Sequence, residues 1–344
     1  MVLALILFSG GLDSCLVVKI LKEQNIKVHL LHFILPFGCG CFDLSSIEKF
    51  VKEEKVDFSV LDCTKGKLLK EYLKIIKNAK FPRGAGFNSC KDCKIFMLKN
   101  AKKFSKHIEA DLIATGEVLG QRPLSQMKKD FDLIEGETNL RNKILRPLCA
   151  KLLNETIYEK KNLVDRKKFC EISGRNRRKQ IELAKKYKID FPNPAGGCLL
   201  CEKLLKNRFK FLIENNLING KNFNLVNVGR HFLIADFWVI LGRNKDENDI
   251  LEKVKKGKLI VPNFPSPSVR VFDVKVSHHP TPQPPTPKNL SSKKTNLSQN
   301  PSSNPPPRNT ASPALFLDKI QKLIQTYSKQ GRLEDRKSWE KYKI

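Results

Sequence analysis

The sequence has 344 residues, 40% of them hydrophobic, and its 64 Lys and Arg against 35 Asp and Glu give a net charge of +29. This length suits two or more packed domains, and no stretch reaches the ~20 apolar residues of a membrane span or has the form of a secretory signal. The positive charge favours a polyanionic partner, RNA or DNA, and we expect a cytoplasmic protein with reduced thiols.

The N-terminal residues predict a phosphate site. An apolar run, 2–8, is followed by Ser9-Gly10-Gly11-Leu12-Asp13-Ser14 and then by helical periodicity over 16–21. Glycines let a ligand approach the backbone closely, and the N–H groups and dipole at a helix start favour an anion. We therefore expect a strand, a turn and a helix, with Ser9, Gly10, Gly11, Asp13 and Ser14 around phosphates.

Short apolar runs then alternate with helical patterns up to about residue 115. The predicted strands are 2–8, 28–33, 58–61 and 111–115, and the predicted helices are 16–22, 47–54, 68–76 and 95–106. This alternation predicts an α/β fold with a doubly wound parallel sheet, whose ligands bind at the carboxyl ends of the strands. His32, Phe33, Thr115, Gly116 and Gln121 fall at those ends, as do Glu117, Arg122 and, after a fifth strand at 143–145, Arg146.

The rest of the chain changes character several times. Residues 155–190 look helical and carry a basic cluster, Arg175, Arg177, Arg178 and Lys179. Residues 221–262 predict a small α+β module, with strands at 225–228, 231–234 and 237–241 and a helix at 247–254. Residues 277–313, with ten of the nineteen prolines, predict a disordered linker, and 314–330 an amphipathic helix that docks on a partner or on its own domain.

Ten cysteines in a reducing compartment indicate metal, cluster or redox chemistry. Four form two CxxC pairs, Cys90/Cys93 and Cys198/Cys201, and two more form Cys39-Gly-Cys41. A structural zinc on the two CxxC pairs is one interpretation. Cys198 follows two glycines, and we expect it at the N-terminus of a helix near Leu199, where the dipole would stabilise its thiolate.

The motifs together resemble a known family. The SGGLDS string resembles the PP-loop of ATP pyrophosphatases, which split ATP into AMP and pyrophosphate. Together with TGEVLGQRPLSQ at 115–126 and ILRPL at 144–148, in this order, it resembles tRNA 4-thiouridine synthetases over about 1–202. Asn88-Ser89-Cys90-Lys91-Asp92-Cys93 is also similar to the cysteine motif of tRNA 2-thiouridylases. From this sequence we expect a protein without the family's N-terminal RNA-binding part and without a rhodanese-like domain.

The resemblance implies ATP-dependent tRNA thiolation, with ATP and Mg²⁺ as cofactors, Asp13 near the phosphates and Cys198 catalytic. Two sulfur routes follow from it. In one, Cys198 carries a persulfide and Cys201 or Cys90 resolves it. In the other, Cys90, Cys93 and Cys198 hold a 4Fe–4S cluster, as in archaeal thiouridine synthetases. The sulfur donor would be a cysteine desulfurase or free sulfide. The alternatives are an amide- or lysidine-forming PP-loop ligase and a non-catalytic RNA-binding protein.

Residues 225–251 resemble the RNA-binding domain of NFACT proteins. The matches are Gly229-Arg230-His231-Phe232 and Gly242-Arg243-Asn244 with Asn248. The resemblance implies RNA contacts from Arg230 and Arg243, with His231 or Phe232 as a surface on which bases stack. In this interpretation the module at 221–262 replaces the family's N-terminal RNA-binding part.

Overall fold

The computed structural model describes residues 1–38, 44–191, 197–219, 222–274, 313–329 and 331–344. The chain divides into two compact units, Met1–Asn227 and Val228–Ile344. Cys39, Cys41 and residues 277–312 of the predicted linker lie outside the described residues. No helix in the described part of the chain is long and apolar enough to cross a membrane.

A parallel sheet forms the centre of the first unit, as the sequence predicts. Its strands are β1 (Leu3–Leu7), β2 (Lys27–Ile34), β3 (Asp57–Asp62) and β4 (Leu112–Thr115), in the spatial order β3-β2-β1-β4. Leu7 pairs with Leu31 on one side and with Thr115 on the other. The carboxyl ends of β1, β2 and β4 therefore meet at one edge of the sheet.

Helices cover this sheet on its flanks. They are α1 (Leu12–Lys22), α2 (Leu44–Glu54), α3 (Gly66–Lys77), α4 (Cys90–His107), α5 (Lys128–Thr138), α6 (Ile157–Lys160), α7 (Arg178–Lys186) and α8 (Lys206–Glu214). The main core joins Leu16, Val17 and Ile20 of α1 to Ile6 of β1 and Leu30 of β2. Burial of these apolar side chains, at ~25 cal/mol per Å², fixes α1 against the sheet.

Two of the elements predicted between residues 143 and 190 are wrong. Residues 143–145 do not form a strand: only Leu145 bridges to Ala114, because the chain turns at once into Arg146-Pro147, where proline offers no N–H. Residues 155–190 are not one helix either. Asn162 and Gly174 have positive φ and separate α6 from α7, because a left-handed residue cannot continue a right-handed helix.

The second unit contains an antiparallel sheet. Its strands are β5 (Arg230–Ile234), β6 (Phe237–Leu241), β7 (Lys258–Ile260) and β8 (Val269–Asp273), in the order β5-β6-β8-β7. Helix α9 (Lys245–Lys253) connects β6 to β7. Residues 225–228, a predicted strand, lie in and just after a 3-10 turn at Phe223–Asn227. The sequence analysis missed β7 and β8.

Helix α10 (Pro313–Tyr327) belongs to the core of this second unit. Its Ile320, Leu323, Ile324 and Tyr327 pack with Phe232 and other residues of the sheet. Their spacing of three and four residues places them on one helical face, which is the face that the sequence singles out. A short helix α11 (Leu333–Lys337) follows, and Trp339 joins the same core.

Leu323→Ala should destabilise the second unit by about 2–5 kcal/mol, because it removes a fully buried side chain and leaves a cavity. Both tryptophans of the chain, Trp238 and Trp339, are buried in this unit. Urea unfolding followed by tryptophan fluorescence therefore measures the change. Leu317→Ala, on the exposed side of α10, is the control and should shift the midpoint little. Equal midpoints for the two variants would show that α10 does not stabilise the sheet.

Candidate functional site

The turn after β1 has the geometry of an anion site. Gly10 has a φ of 79°, which favours glycine, and Gly11 is the N-cap of α1 with no side-chain cap. The Ser14 hydroxyl donates to the Gly11 carbonyl at 2.7 Å, and its oxygen lies 3.4 Å from the Ser9 hydroxyl. Backbone N–H groups at the uncapped helix start, together with these hydroxyls, can therefore face a phosphate.

The end of β4 packs directly against this turn. A Cβ on Gly116 would lie 2.8 Å from the Ser14 nitrogen and 2.9 Å from the Asp13 carbonyl carbon. Such distances are too short for any side chain, so only glycine allows this approach. Thr115 and Gly116 therefore border the PP-loop, where the sequence analysis puts them.

His32 and Phe33 lie on β2, the strand on the other side of β1. The His32 Nδ1 atom is 2.9 Å from the carbonyl oxygen of Phe8, the residue that precedes the PP-loop. Burial lowers the pKa of His32, so its ring is neutral at pH 7. The PP-loop thus has His32 on one side and Gly116 on the other.

Asp13 has one oxygen that is free to bind a ligand. Its Oδ2 accepts a hydrogen bond from Gln121 Nε2 at 3.0 Å, but its buried Oδ1 has no hydrogen-bond partner among the described residues. Burial raises the pKa of Asp13, and the Gln121 hydrogen bond and the charges of Arg177 and Arg122 offset only part of this effect. An unpartnered carboxylate oxygen beside a phosphate site is the kind of ligand that Mg²⁺ uses, so Asp13 fits this ion.

Glu117 and Arg146 form a buried ion pair, which the sequence analysis did not predict. Both are buried, and Arg146 Nε donates to Glu117 Oε2 at 3.1 Å. Arg146 also pairs with Glu135 at 2.5 Å, and Lys94, which the sequence analysis did not single out, pairs with Glu117. A charge inside the protein needs partners, and these four residues pair with one another, although the Arg146 Nη2 atom has no hydrogen-bond partner among the described residues.

Glu117→Gln should lower the free energy of unfolding by about 3–5 kcal/mol, since it leaves buried positive charge without its partner. The control, Glu53→Gln, removes an exposed carboxylate that pairs with Lys49 and should cost at most about 1 kcal/mol. Urea unfolding followed by circular dichroism measures both.

The effect of Glu117→Gln also has a defined pH dependence. In the wild-type protein, burial opposes the charged form of Glu117, but Lys94 and Arg146 lower the pKa of Glu117 from 4.5 to about 2. A lowered carboxyl pKa stabilises the fold fully above pH 4.5, and this contribution is lost as the pH falls towards 2. The difference between wild type and variant should shrink over that interval. A difference that is constant with pH would mean that the charge of Glu117 is not what stabilises the fold.

The two cysteine pairs lie near each other. Cys90 and Cys93 occupy the first turn of α4, and Cys198 and Cys201 flank a single 3-10 turn. Phe87 N donates to the carbonyl of Leu200 at 2.8 Å, which joins the segments that carry the pairs. The Cys198 and Cys201 sulfurs are 3.8 Å apart.

The thiols differ in their surroundings. Cys90 Sγ accepts a hydrogen bond from Asn88 at 3.2 Å. Burial raises the pKa of Cys93 to about 12, although a hydrogen bond from Tyr72 opposes the shift. Burial and the neighbouring thiols also raise the pKa of Cys198. This direction is opposite to our expectation, because one 3-10 turn replaces the expected helix and its dipole is too small to offset burial.

The described residues do not present the two cysteine pairs as one formed metal site. Within residues 1–38, 44–191, 197–219 and the later described ranges, no group of three or more Cys, His, Asp or Glu side chains is placed to hold a metal ion. The predicted ligand set Cys90, Cys93 and Cys198 is therefore not assembled as three converging thiolates. What the geometry does bring together is the Cys198/Cys201 pair.

The residues predicted to bind RNA fall into two groups. Arg175, Arg178 and Lys179 are exposed on the first unit, whereas Arg177 is half-buried and acts on Asp13. In the second unit Arg243 forms a two-pronged pair with Glu247, and Arg230 lies 4.9 Å from the centre of the Tyr327 ring. His231 and Phe232 are buried in this unit, so the predicted base-stacking surface is wrong.

The charge of Arg122 acts on both the PP-loop and the cysteine pair. The charge of Arg122 lowers the pKa of Asp13 and of Cys201, although burial raises both overall. Arg122 therefore lies within electrostatic reach of both the PP-loop and the cysteine pair. Because it follows Gln121 in a polar loop, spacing alone did not show this link.

Comparison with known proteins agrees with the motifs. Residues 2–165 match the family model described as thiamine biosynthesis protein (ThiI). A probable tRNA sulfurtransferase of Methanocaldococcus jannaschii is 30% identical over 159 residues, 44% of this chain and 38% of that protein. A probable tRNA sulfurtransferase of Mycoplasmopsis agalactiae is 30% identical over 219 residues, 61% of this chain and 53% of that protein. The chain thus spans about half or less of these relatives.

Two solved structures are also similar, at TM-scores too low to support an argument. One is a predicted subunit of tRNA methyltransferase from Methanocaldococcus jannaschii, with 20% identity, a TM-score of 0.30, and coverage of 43% of this chain and 68% of that one. The other is a 4-thiouridine synthetase–RNA complex with bound ATP, with 17% identity, a TM-score of 0.34, and coverage of 65% and 52%. The family resemblance therefore rests on the sequence: residues 2–165 match the ThiI family, as the motifs predict.

Proposed function

We propose that this protein is an ATP-dependent tRNA sulfurtransferase of the cytoplasm. The observation that carries the proposal is that the first unit, whose residues 2–165 match the ThiI family model, holds both the PP-loop with the unpartnered Asp13 Oδ1 and the Cys198/Cys201 pair with its sulfurs 3.8 Å apart. An enzyme that adenylates a nucleotide and then delivers sulfur to it needs these two centres side by side. An amide- or lysidine-forming ligase has no use for the paired thiols.

The first half-reaction uses the PP-loop. A uridine oxygen of tRNA attacks the α-phosphate of ATP, the bond to the β-phosphate oxygen breaks, and pyrophosphate leaves. The uncapped start of α1, with Ser9 and Ser14, would bind phosphate oxygens, and Gly116 would leave room for them. Mg²⁺, held at Asp13, would neutralise phosphate charge when bound.

The second half-reaction uses Cys198 and Cys201. A persulfide on Cys198, charged by a cysteine desulfurase or another sulfur donor, attacks the adenylated carbon and displaces AMP. The thiol of Cys201 then attacks Cys198 Sγ, which releases the thionucleoside and leaves a Cys198–Cys201 disulfide. A dithiol reductant restores the two thiols. The 3.8 Å between the sulfurs requires only a small movement to form this bond.

For the RNA, the exposed charges of Arg175, Arg178 and Lys179 are the best candidates in the first unit. Solvated cations can approach the phosphates of tRNA without losing a protein partner. In the second unit Arg230 is a weaker candidate, because burial lowers its pKa and its guanidinium faces Tyr327. Arg243 would have to leave Glu247 before it could bind RNA.

Ser14→Ala should reduce pyrophosphate release at least ~10-fold, since it removes a hydroxyl at the phosphates and also its bond to Gly11. The test measures pyrophosphate formed from ATP and bulk tRNA by the full chain. Ser46→Ala, on helix α2, is the control and should retain wild-type release. Pyrophosphate release by the Ser14 variant at the wild-type rate would contradict the assignment of the ATP site to the PP-loop.

Cys198→Ser should still release pyrophosphate in the presence of tRNA but should form no thionucleoside, because serine cannot carry a persulfide. Mass spectrometry of tRNA nucleosides gives the second measurement. Cys170→Ser, a half-buried cysteine outside the two pairs, is the matched control and should thiolate normally. Thiolation by the Cys198 variant at the wild-type rate would exclude this cysteine as the sulfur carrier. Iron or zinc that copurifies at a fixed ratio to the protein, and that is lost in Cys90→Ala, would instead favour the cluster or the structural zinc.

A further inference from the structure

The segment that leads into α7 runs alongside the loop that follows β4. Gly174 N donates to the carbonyl of Leu119 at 2.7 Å, and Leu119 and Ser173 form a parallel bridge. Gly120 and Gly174, with φ near 80°, permit this close approach. As a result, the start of α7 lies beside Gln121, the residue that donates to Asp13.

Gln180 lies in this segment with its side-chain amide within reach of the Asp13 carboxylate. It is 0% exposed, yet neither its amide nitrogen nor its amide oxygen has a well-formed hydrogen bond among the described residues. It is close enough to the Asp13 carboxylate to favour its charged form. An amide buried without a well-formed hydrogen bond destabilises the fold, and such a group is expected where a ligand completes the bonds.

Arg177 lies three residues earlier, at the N-cap of α7, and so faces the same side as Gln180. Its Nε is buried and also lacks a partner among the described residues. Its charge acts on Asp13, as does that of Arg122. The charges of two guanidinium groups thus act on one carboxylate, and this excess of positive charge suits a multiply charged anion.

The residues around the PP-loop come from two sides of β1. His32 and Phe33 are on β2, on one side of β1, while Gly116, Gln121 and α7 belong to the chain after β4, on the other side. Phosphates at the start of α1 would lie between the two sides. The unpaired amide oxygens of Gln121 and Gln180 and the Asp13 Oδ1 are acceptors, which suit the waters of a hydrated Mg²⁺ on a diphosphate.

We propose that Arg177 and Gln180 bind the pyrophosphate half of the nucleotide, beside Asp13. The inference rests on the ATP-dependent reaction proposed above and moves Arg177 from the RNA surface to the nucleotide site. Arg177 donates to phosphate oxygens, and Gln180 contacts the phosphate or the water shell of its cation.

Binding of inorganic pyrophosphate with Mg²⁺ to the full chain, measured by isothermal titration calorimetry, tests the proposal. Arg177→Gln should weaken binding about 10- to 100-fold and Gln180→Leu about 5-fold, as expected for one charged and one neutral hydrogen bond. Lys185→Gln removes one positive charge from an exposed position of the same helix and should bind like wild type. AMP, which lacks the leaving group, should bind all four proteins alike.

Stability separates a binding role from a structural one. Gln180→Leu removes an unpaired buried amide and should keep or raise the melting temperature while it weakens pyrophosphate binding. A lower melting temperature, or pyrophosphate binding equal to wild type in both Arg177→Gln and Gln180→Leu, would overturn the inference. Wild-type protein that binds neither pyrophosphate nor AMP would instead overturn the proposed ATP-dependent function itself.

Discussion

The buried charge network centred on Glu117 is the constraint on which the site depends. Lys94 and Arg146 pair with Glu117, and Arg146 reaches Glu135 as well. Through these pairs the end of β4, helix α4 and helix α5 are held at one point. Since breaking one member leaves an unpaired charge in the interior, the three elements cannot move apart without a large cost.

This network fixes the position of the PP-loop border relative to the cysteine-bearing start of α4 within the first unit. Glu117 follows Thr115 and Gly116, which border the PP-loop, and Lys94 follows Cys93 on the first turn of α4. A phosphate site and a thiol segment are therefore attached to the same buried carboxylate. Glu117 lies in the string at 115–126 and Arg146 in the string at 144–148. The two strings that resemble thiolation enzymes therefore contribute to this buried network as well as to the candidate ligand site.

The sequence predicted the parallel sheet and the PP-loop because both depend on local signals. An apolar run before glycines marks a strand and a turn whatever the rest of the chain does. It could not predict the partners of Glu117 and Arg146, because a charged residue near a strand end reads equally as a phosphate ligand or as half of a buried pair. The choice depends on Lys94 and Glu135, which are distant in the sequence.

In the second unit and in α7, the sequence predicted the helices or their charges but not what each helical face packs against. The spacing of apolar residues predicts which face of α10 is buried. It does not predict that this face packs against β5 and β6, because the sheet that they form includes β8, which was not predicted. In α7 the basic cluster suggested one surface for one partner. The fold divides it instead: Arg175, Arg178 and Lys179 face solvent, and Arg177 and Gln180 turn towards Asp13. Because a helix carries both faces on one rigid element, RNA held by the exposed face would lie on the opposite side of the same helix from the nucleotide.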